Sequence, residues 1–166
     1  MLSANVRALS EMASDRLKEV IELLEPFLNK YCLSQLAEDD GTDEAVAYYS
    51  GLLSDLRHLL VFSEVCSEKL WVLHRRQQAT DELAAKTLYE VYQQCINVFF
   101  YPKNECYSED GRYAYTGQDA IRFRYKPNPA VRALILDLAK IFEELRDELA
   151  FYENDYMTQK RMQAQK

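Results

Sequence analysis

From Val131 to Tyr156 the apolar residues Val131, Ile135, Leu138, Phe142, Leu145, Leu149, Tyr152 and Tyr156 recur in alternating steps of four and three. That spacing lines one side of a helix with apolar groups, so this segment must be helical and must bury that side against other helices. Asn128-Pro129 supplies the start, an Asn cap with proline in the first turn, where a missing N–H breaks no bond. The same spacing predicts three further helices. The first begins near Ser3 or Ala4 and carries Ala13, Leu17, Val20, Leu24, Phe27 and Tyr31. A kink or break is expected at Pro26, because proline removes the bond to the carbonyl four residues back. The second starts at Thr42, with Asp43 and Glu44 in its first turn, and runs through Val46, Tyr49, Leu53, Leu56 and Leu60 toward Leu70 and Leu73. Gly51 in that run marks a close helix contact. The third starts at Thr80, carries Ala84, Leu88, Val91, Cys95 and Val98, and ends before Pro102. Residues 157–166 have little apolar content and are expected to fray. The fold class is therefore all-α. The expected architecture is one antiparallel four-helix bundle spanning 1–166, with an insertion at about 102–127 between the third and fourth helices. The same seams would also serve a homodimer.

The insertion is where helical spacing stops. Three of the four prolines and two of the four glycines fall in or beside Tyr101–Asn128. Ile121, Phe123 and Tyr125 alternate with Arg122, Arg124 and Lys126, which predicts a strand that is apolar on one face and cationic on the other. Upstream, Tyr113 and Tyr115 share a face, and Thr116 to Asp119 supply turn residues, so the segment reads as a β-hairpin-like excursion.

Its candidate binding residues are Tyr107, Arg112, Tyr113, Tyr115, Arg122, Arg124 and Lys126. Tyrosine and arginine are frequent interface anchors, and a row of cations can grip an acidic protein patch, a nucleotide phosphate or an RNA backbone. Glu105, Glu109, Asp110 and Asp119 lie in the same segment, so cross-strand ion pairs would neutralise much of the row. The chain's net charge of −7 repels polyanions at long range, which favours a protein partner over nucleic acid. Nucleotide or RNA binding through Arg122, Arg124 and Lys126 is the alternative reading.

Enzymatic chemistry has less behind it. With two histidines, and Asp55-x-x-His58 as the nearest approximation, a ferritin-like di-metal site cannot be completed. Glu143, Glu144, Asp147 and Glu148 resemble the Glu-Glu-x-x-Glu/Asp pattern of all-α nucleotide pyrophosphohydrolases, where acids one turn apart hold Mg²⁺. The second acidic motif of that family has only a loose substitute in Glu19, Glu22 and Glu25. The plainer reading of the cluster is a solvated helix face beside Leu145 and Leu149. No phosphate-binding glycine loop or nucleophile elbow is present. The expectation is a non-enzymatic protein without a cofactor. The four cysteines are far apart and read as reduced thiols, mostly small core residues. The first residues lack the pattern of a signal peptide, and no apolar run approaches the roughly 20 residues needed to cross a bilayer. No membrane contact and a cytoplasmic location are expected.

The run Ala114-Tyr-Thr-Gly-Gln-Asp-Ala-Ile-Arg-Phe-Arg124 resembles an uncharacterised family of small Bacillus-type proteins, the YpuI-like family. Thr87-Leu-Tyr-Glu-Val-Tyr-Gln-Gln-Cys-Ile96 and Tyr152-Glu-Asn-Asp-Tyr156 fit the same resemblance, which extends from the first helix to Tyr156. It implies a cytoplasmic protein of a Gram-positive bacterium with no assigned activity, and it transfers no catalytic or binding residue.

Overall fold

A computed structural model describes residues 2–76, 78–104 and 121–165, together with the backbone of 107–109. The chain is mostly helical: α1 (Ala4–Lys30), α2 (Leu33–Leu36), α3 (Asp43–Arg75), α4 (Asp81–Val91), a π-helical turn (Tyr92–Ile96), α5 (Asn97–Phe100), α6 (Pro129–Glu148), α7 (Ala150–Asn154) and α8 (Tyr156–Ala164). Strands β1 (Tyr107–Glu109) and β2 (Ile121–Phe123) pair antiparallel, with Tyr107 opposite Phe123 and Glu109 opposite Ile121.

The helix starts are capped as their sequences require. The Thr42 hydroxyl accepts from the Ala45 N–H (3.2 Å), Thr80 from Leu83 (3.3 Å), and the Asn128 side chain from Ala130 (2.9 Å). Each satisfies a first-turn N–H that has no partner within its own helix. The Ser3 N–H instead donates to the Asp81 carboxylate (2.8 Å), which ties the start of α1 to the start of α4.

α1 packs against α3 and α6 and also touches α4. Lys69 meets Glu90, Cys66 meets Gln94 and Ser63 meets Cys95, so α3 and the α4–α5 arm run in opposite directions. The core is continuous from Ala13, Leu17 and Leu24 on α1, through Leu52, Leu56 and Leu70 on α3, to Ile135, Leu138 and Phe142 on α6. A smaller cluster of Leu2, Leu73, Ala79 and Ala84 closes the end where α3 turns into α4.

Several elements differ from the sequence expectation, each for a physical reason. α1 runs through Pro26 without a break. Pro26 is exposed, and so is Glu22, whose carbonyl loses its donor, so the missing bond lies on the outer side of the helix rather than in the core. The stripe of α3 is Ala45, Tyr49, Leu52, Leu56, Leu59, Ser63, Cys66, Leu70 and Leu73, all buried, whereas Val46 is exposed and Leu60 only partly covered. Ser63 and Cys66 occupy core positions of that stripe, which shifted the apparent phase. The Gly51 carbonyl accepts from the Asn104 side chain (3.4 Å).

In the third helical arm the π turn closes each backbone bond over one extra residue, which rotates everything beyond it. Ile96, Phe99 and Phe100 become the core residues there, and Val98 turns partly outward. The last helical run keeps its buried stripe from Val131 to Tyr156, but its backbone is interrupted at Leu149 and Asp155. The expected frayed end is instead helical to Ala164, with nearly all its side chains in solvent.

Phe99 stacks on Phe142 with ring centroids 4.6 Å apart, and both are fully buried. Truncating Phe99 to alanine is expected to cost about 3–5 kcal/mol in urea unfolding, against at most about 1 kcal/mol for Val98→Ala. Equal losses at the two positions would place the rotation of this helix elsewhere.

Candidate interaction surface

The non-helical segment is fixed to the helical body at its two ends. At the entry, the Asn104 side-chain amide donates to the Asp55 carboxylate of α3 (2.7 Å). Asp55 is itself buried, so this bond satisfies one of its oxygens in a place water does not reach. At the exit, Ile121 is 4% exposed and belongs to the main core, while Phe123 and Tyr125 pack partly against it.

Tyr125 is held most specifically. Its ring lies 5.1 Å from Tyr48 and 6.1 Å, edge-on, from Tyr49. Its hydroxyl donates to the Asp40 carboxylate in the connector before α3. Three residues further on, the Asn128 N–H donates to the Tyr49 hydroxyl (2.7 Å), so the same aromatic group also fixes the start of α6. The Asp40 bond pushes the Tyr125 phenol up to about 12, and that bond, with help from Thr42, holds Asp40 below its ordinary 3.8.

With Ile121, Phe123 and Tyr125 turned to the body, Arg122, Arg124 and Lys126 alternate outward and are exposed. The period-2 reading therefore holds along 121–126. Arg122 and Arg124 each have interactions of their own as well. Of Tyr107 the backbone and its pairing with Phe123 are described. Arg112, Tyr113 and Tyr115, and the turn residues Thr116 to Asp119, lie outside the described residues.

The acidic group on α6 is dispersed. Glu144 forms an ion pair with Arg16 of α1 (2.8 Å), Glu143 is half-buried, and Asp147 and Glu148 point to solvent. Burial, and then the neighbouring Asp147, push the Glu143 carboxyl above its usual range. Among the described residues no three histidine, cysteine or carboxylate side chains converge as a metal site. His58 is exposed and stacks on Phe62.

Two groups had no clear signal in the sequence. Arg146 is 7% exposed, pairs with Glu153 (3.1 Å) and lies 4.6 Å above the Phe100 ring. Burial and Glu153 push the nearby Tyr92 phenol up to about 12. An arginine between apolar positions reads as surface, and only the helix rotation at the π turn brings Phe100 beneath it. The second group is the cluster of Ser63, Cys66, Gln94 and Cys95 between α3 and the π turn. Its signal was available: Ser63 and Cys66 continue the four-three stripe of α3. Beside it an open groove of about 480 Å³ runs between α3 and α4, lined by Val65, Lys69, Val72, Leu83, Lys86 and Glu90 among others.

A mostly helical body carrying a clamped, cation-edged strand pair defines a class by its shape, and sequence comparison assigns the family. Residues 10–158 match the family described as "Protein of unknown function (DUF3907)", and the chain belongs to that family. It is 34% identical over 148 residues to the protein described as "Uncharacterized protein YpuI" from Bacillus subtilis (strain 168), covering 89% of this chain and 82% of that one. The resemblance read from the sequence motifs holds. No solved structure matches the chain. Among the described residues no helix is long and apolar enough to cross a membrane.

Replacing Tyr125 by phenylalanine keeps the ring contacts and deletes the bond to Asp40. The expected result is faster amide hydrogen exchange across 121–126, with the melting temperature lowered by no more than a few degrees. The bond's pH window follows from the two shifts. It is intact at neutral pH and lost as pH falls through the depressed Asp40 value, or as it rises through about 12 at Tyr125. Unchanged exchange in Tyr125→Phe would show that the ring contacts alone hold the strand.

Proposed function

We propose that this protein is a non-enzymatic interaction module: a four-helix-bundle body that presents the Tyr107–Lys126 hairpin to an acidic surface on a protein partner. The observation that carries this reading is the alternation along 121–126. The apolar half of the strand is committed to the body, and Arg122, Arg124 and Lys126 are turned to solvent on a backbone held by Ile121 and Tyr125. A rigid backbone lowers the entropy cost of binding, because less of the contacting segment has to be ordered on association. In a chain of net charge −7, a local cationic edge is also a selective feature, steering toward acidic patches at short range. The sequence adds Tyr107, Arg112, Tyr113 and Tyr115 to the same hairpin, residues of the types that anchor interfaces.

The test is affinity capture from a Bacillus subtilis lysate with wild type and with Arg122→Glu/Arg124→Glu, the fold of both checked by circular dichroism. The expected result is a defined set of proteins retained by wild type, released by raising the salt, and absent from the double variant. Identical profiles would remove the basis of this reading. Loss of co-purifying nucleic acid in place of protein would assign the same edge to RNA or nucleotide binding.

A further inference from the structure

The buried thiols of Cys66 and Cys95 lie in the main core and take no part in the proposed interaction edge. Both are fully buried, one on α3 and the other on the π turn. They are paired by two crossed contacts. The Ser63 hydroxyl of α3 reaches the Cys95 sulfur (4.0 Å), and the Cys66 thiol donates to the Gln94 side-chain oxygen (3.6 Å). Ser63 lies one turn before Cys66, and Gln94 immediately precedes Cys95, so these two contacts bring both cysteines to the same point where α3 meets the π turn.

Two cysteines 29 positions apart in sequence (95 − 66) thus sit side by side, held by neighbours that orient both sulfurs. π turns recur at functional positions because the extra residue places side chains that a regular helix would not. Here it brings Gln94 and Cys95 together onto α3. The open groove lies beside the pair. Val65, Lys69 and Glu90 line the open groove, and they flank Cys66 and Gln94 along their own helices. Gln94, whose side-chain oxygen accepts from the Cys66 thiol, is only half-buried.

We propose that Cys66 and Cys95 form a peroxide-oxidisable dithiol that closes reversibly to an intramolecular disulfide. The two cysteines have different roles. The interaction with Cys95 holds the Cys66 thiol below its ordinary 9.0 against the opposing effect of burial, and the Lys69 ammonium one turn away acts in the same direction, offset in part by Glu90. The same interaction and its burial push the Cys95 thiol up. Cys66 is therefore the nucleophile. Its thiolate attacks one oxygen of hydrogen peroxide, the S–O bond forms as the O–O bond breaks, and the departing hydroxide takes the released proton as water. The Cys95 sulfur then attacks the Cys66 sulfenic acid, the S–S bond forms, the S–O bond breaks, and a second water leaves. Two thiols lose two electrons and two protons, and one peroxide becomes two waters. A dithiol reductant reverses the change.

The experiment uses the full chain with Cys32→Ser and Cys106→Ser, so that only the pair remains, alongside wild type. Each folded protein is treated with hydrogen peroxide, alkylated, digested and analysed by mass spectrometry. The expected product is a peptide pair linked through Cys66 and Cys95, lighter by two hydrogens and restored by dithiothreitol. In Cys95→Ala, the expected species is a sulfenic acid on Cys66 captured by dimedone. The proposal is overturned if Cys66 and Cys95 stay reduced in wild type while the exposed Cys32 is oxidised. Linkage of either cysteine to Cys32 or Cys106 in place of the other, or no dimedone adduct in Cys95→Ala, would also overturn it.

Discussion

One extra residue in one helical turn sets the arrangement of the second half of this protein. A regular helix through Tyr92–Ile96 would have continued the stripe of α4 onto Val98. The π turn instead advances the stripe by a residue, and Phe99 and Phe100 swing into the core. The ring of Phe99 then meets Phe142 of α6, and that of Phe100 lies under the Arg146 guanidinium. The buried Arg146 remains charged because Glu153 and the Phe100 ring together compensate for the water it has lost. The same turn delivers Cys95 and Gln94 to α3. The geometry of α6 and α7, and of the thiol pair, follows from that rotation.

Much of this was legible in the residues. α1 and the α6–α8 run show their core stripes openly, because nearly every stripe position is a large apolar group, and the caps at Thr42, Thr80 and Asn128 mark their helices correctly. α3 was harder. Its stripe passes through Ser63 and Cys66, small groups that fill core space without announcing it, so the eye falls on Val46 and Leu60. The π turn leaves no local signal, since its backbone pattern is chosen by what Phe99 and Phe100 gain in the core. Pro26 does not end α1, because the bond it removes lies on the exposed side of the helix, away from the core.

The candidate surface divides in the same way. The alternation along 121–126 is a local property, and it holds with Ile121 inside and Arg122 outside. What fixes the strand is long-range. Tyr125 reaches Asp40, 85 positions away, and Asn104 reaches Asp55 across 49. No window of sequence pairs those residues, because each pairing depends on where the helices have already packed. The acidic cluster on α6 shows the converse, since neighbours along the chain are drawn apart when Glu144 turns to Arg16.

The double clamp at Asn104 and Ile121 also bears on how the family can diversify. Its two ends are set by the body, through Asp55 and the main core. For a chain closing a gap of fixed width, doubling its length adds only about 0.6 kcal/mol. Insertions and replacements between the clamps are therefore cheap for the helices beneath. A longer or shorter join between the clamps would leave the same platform beneath it, which makes the stretch a natural graft point for new specificities.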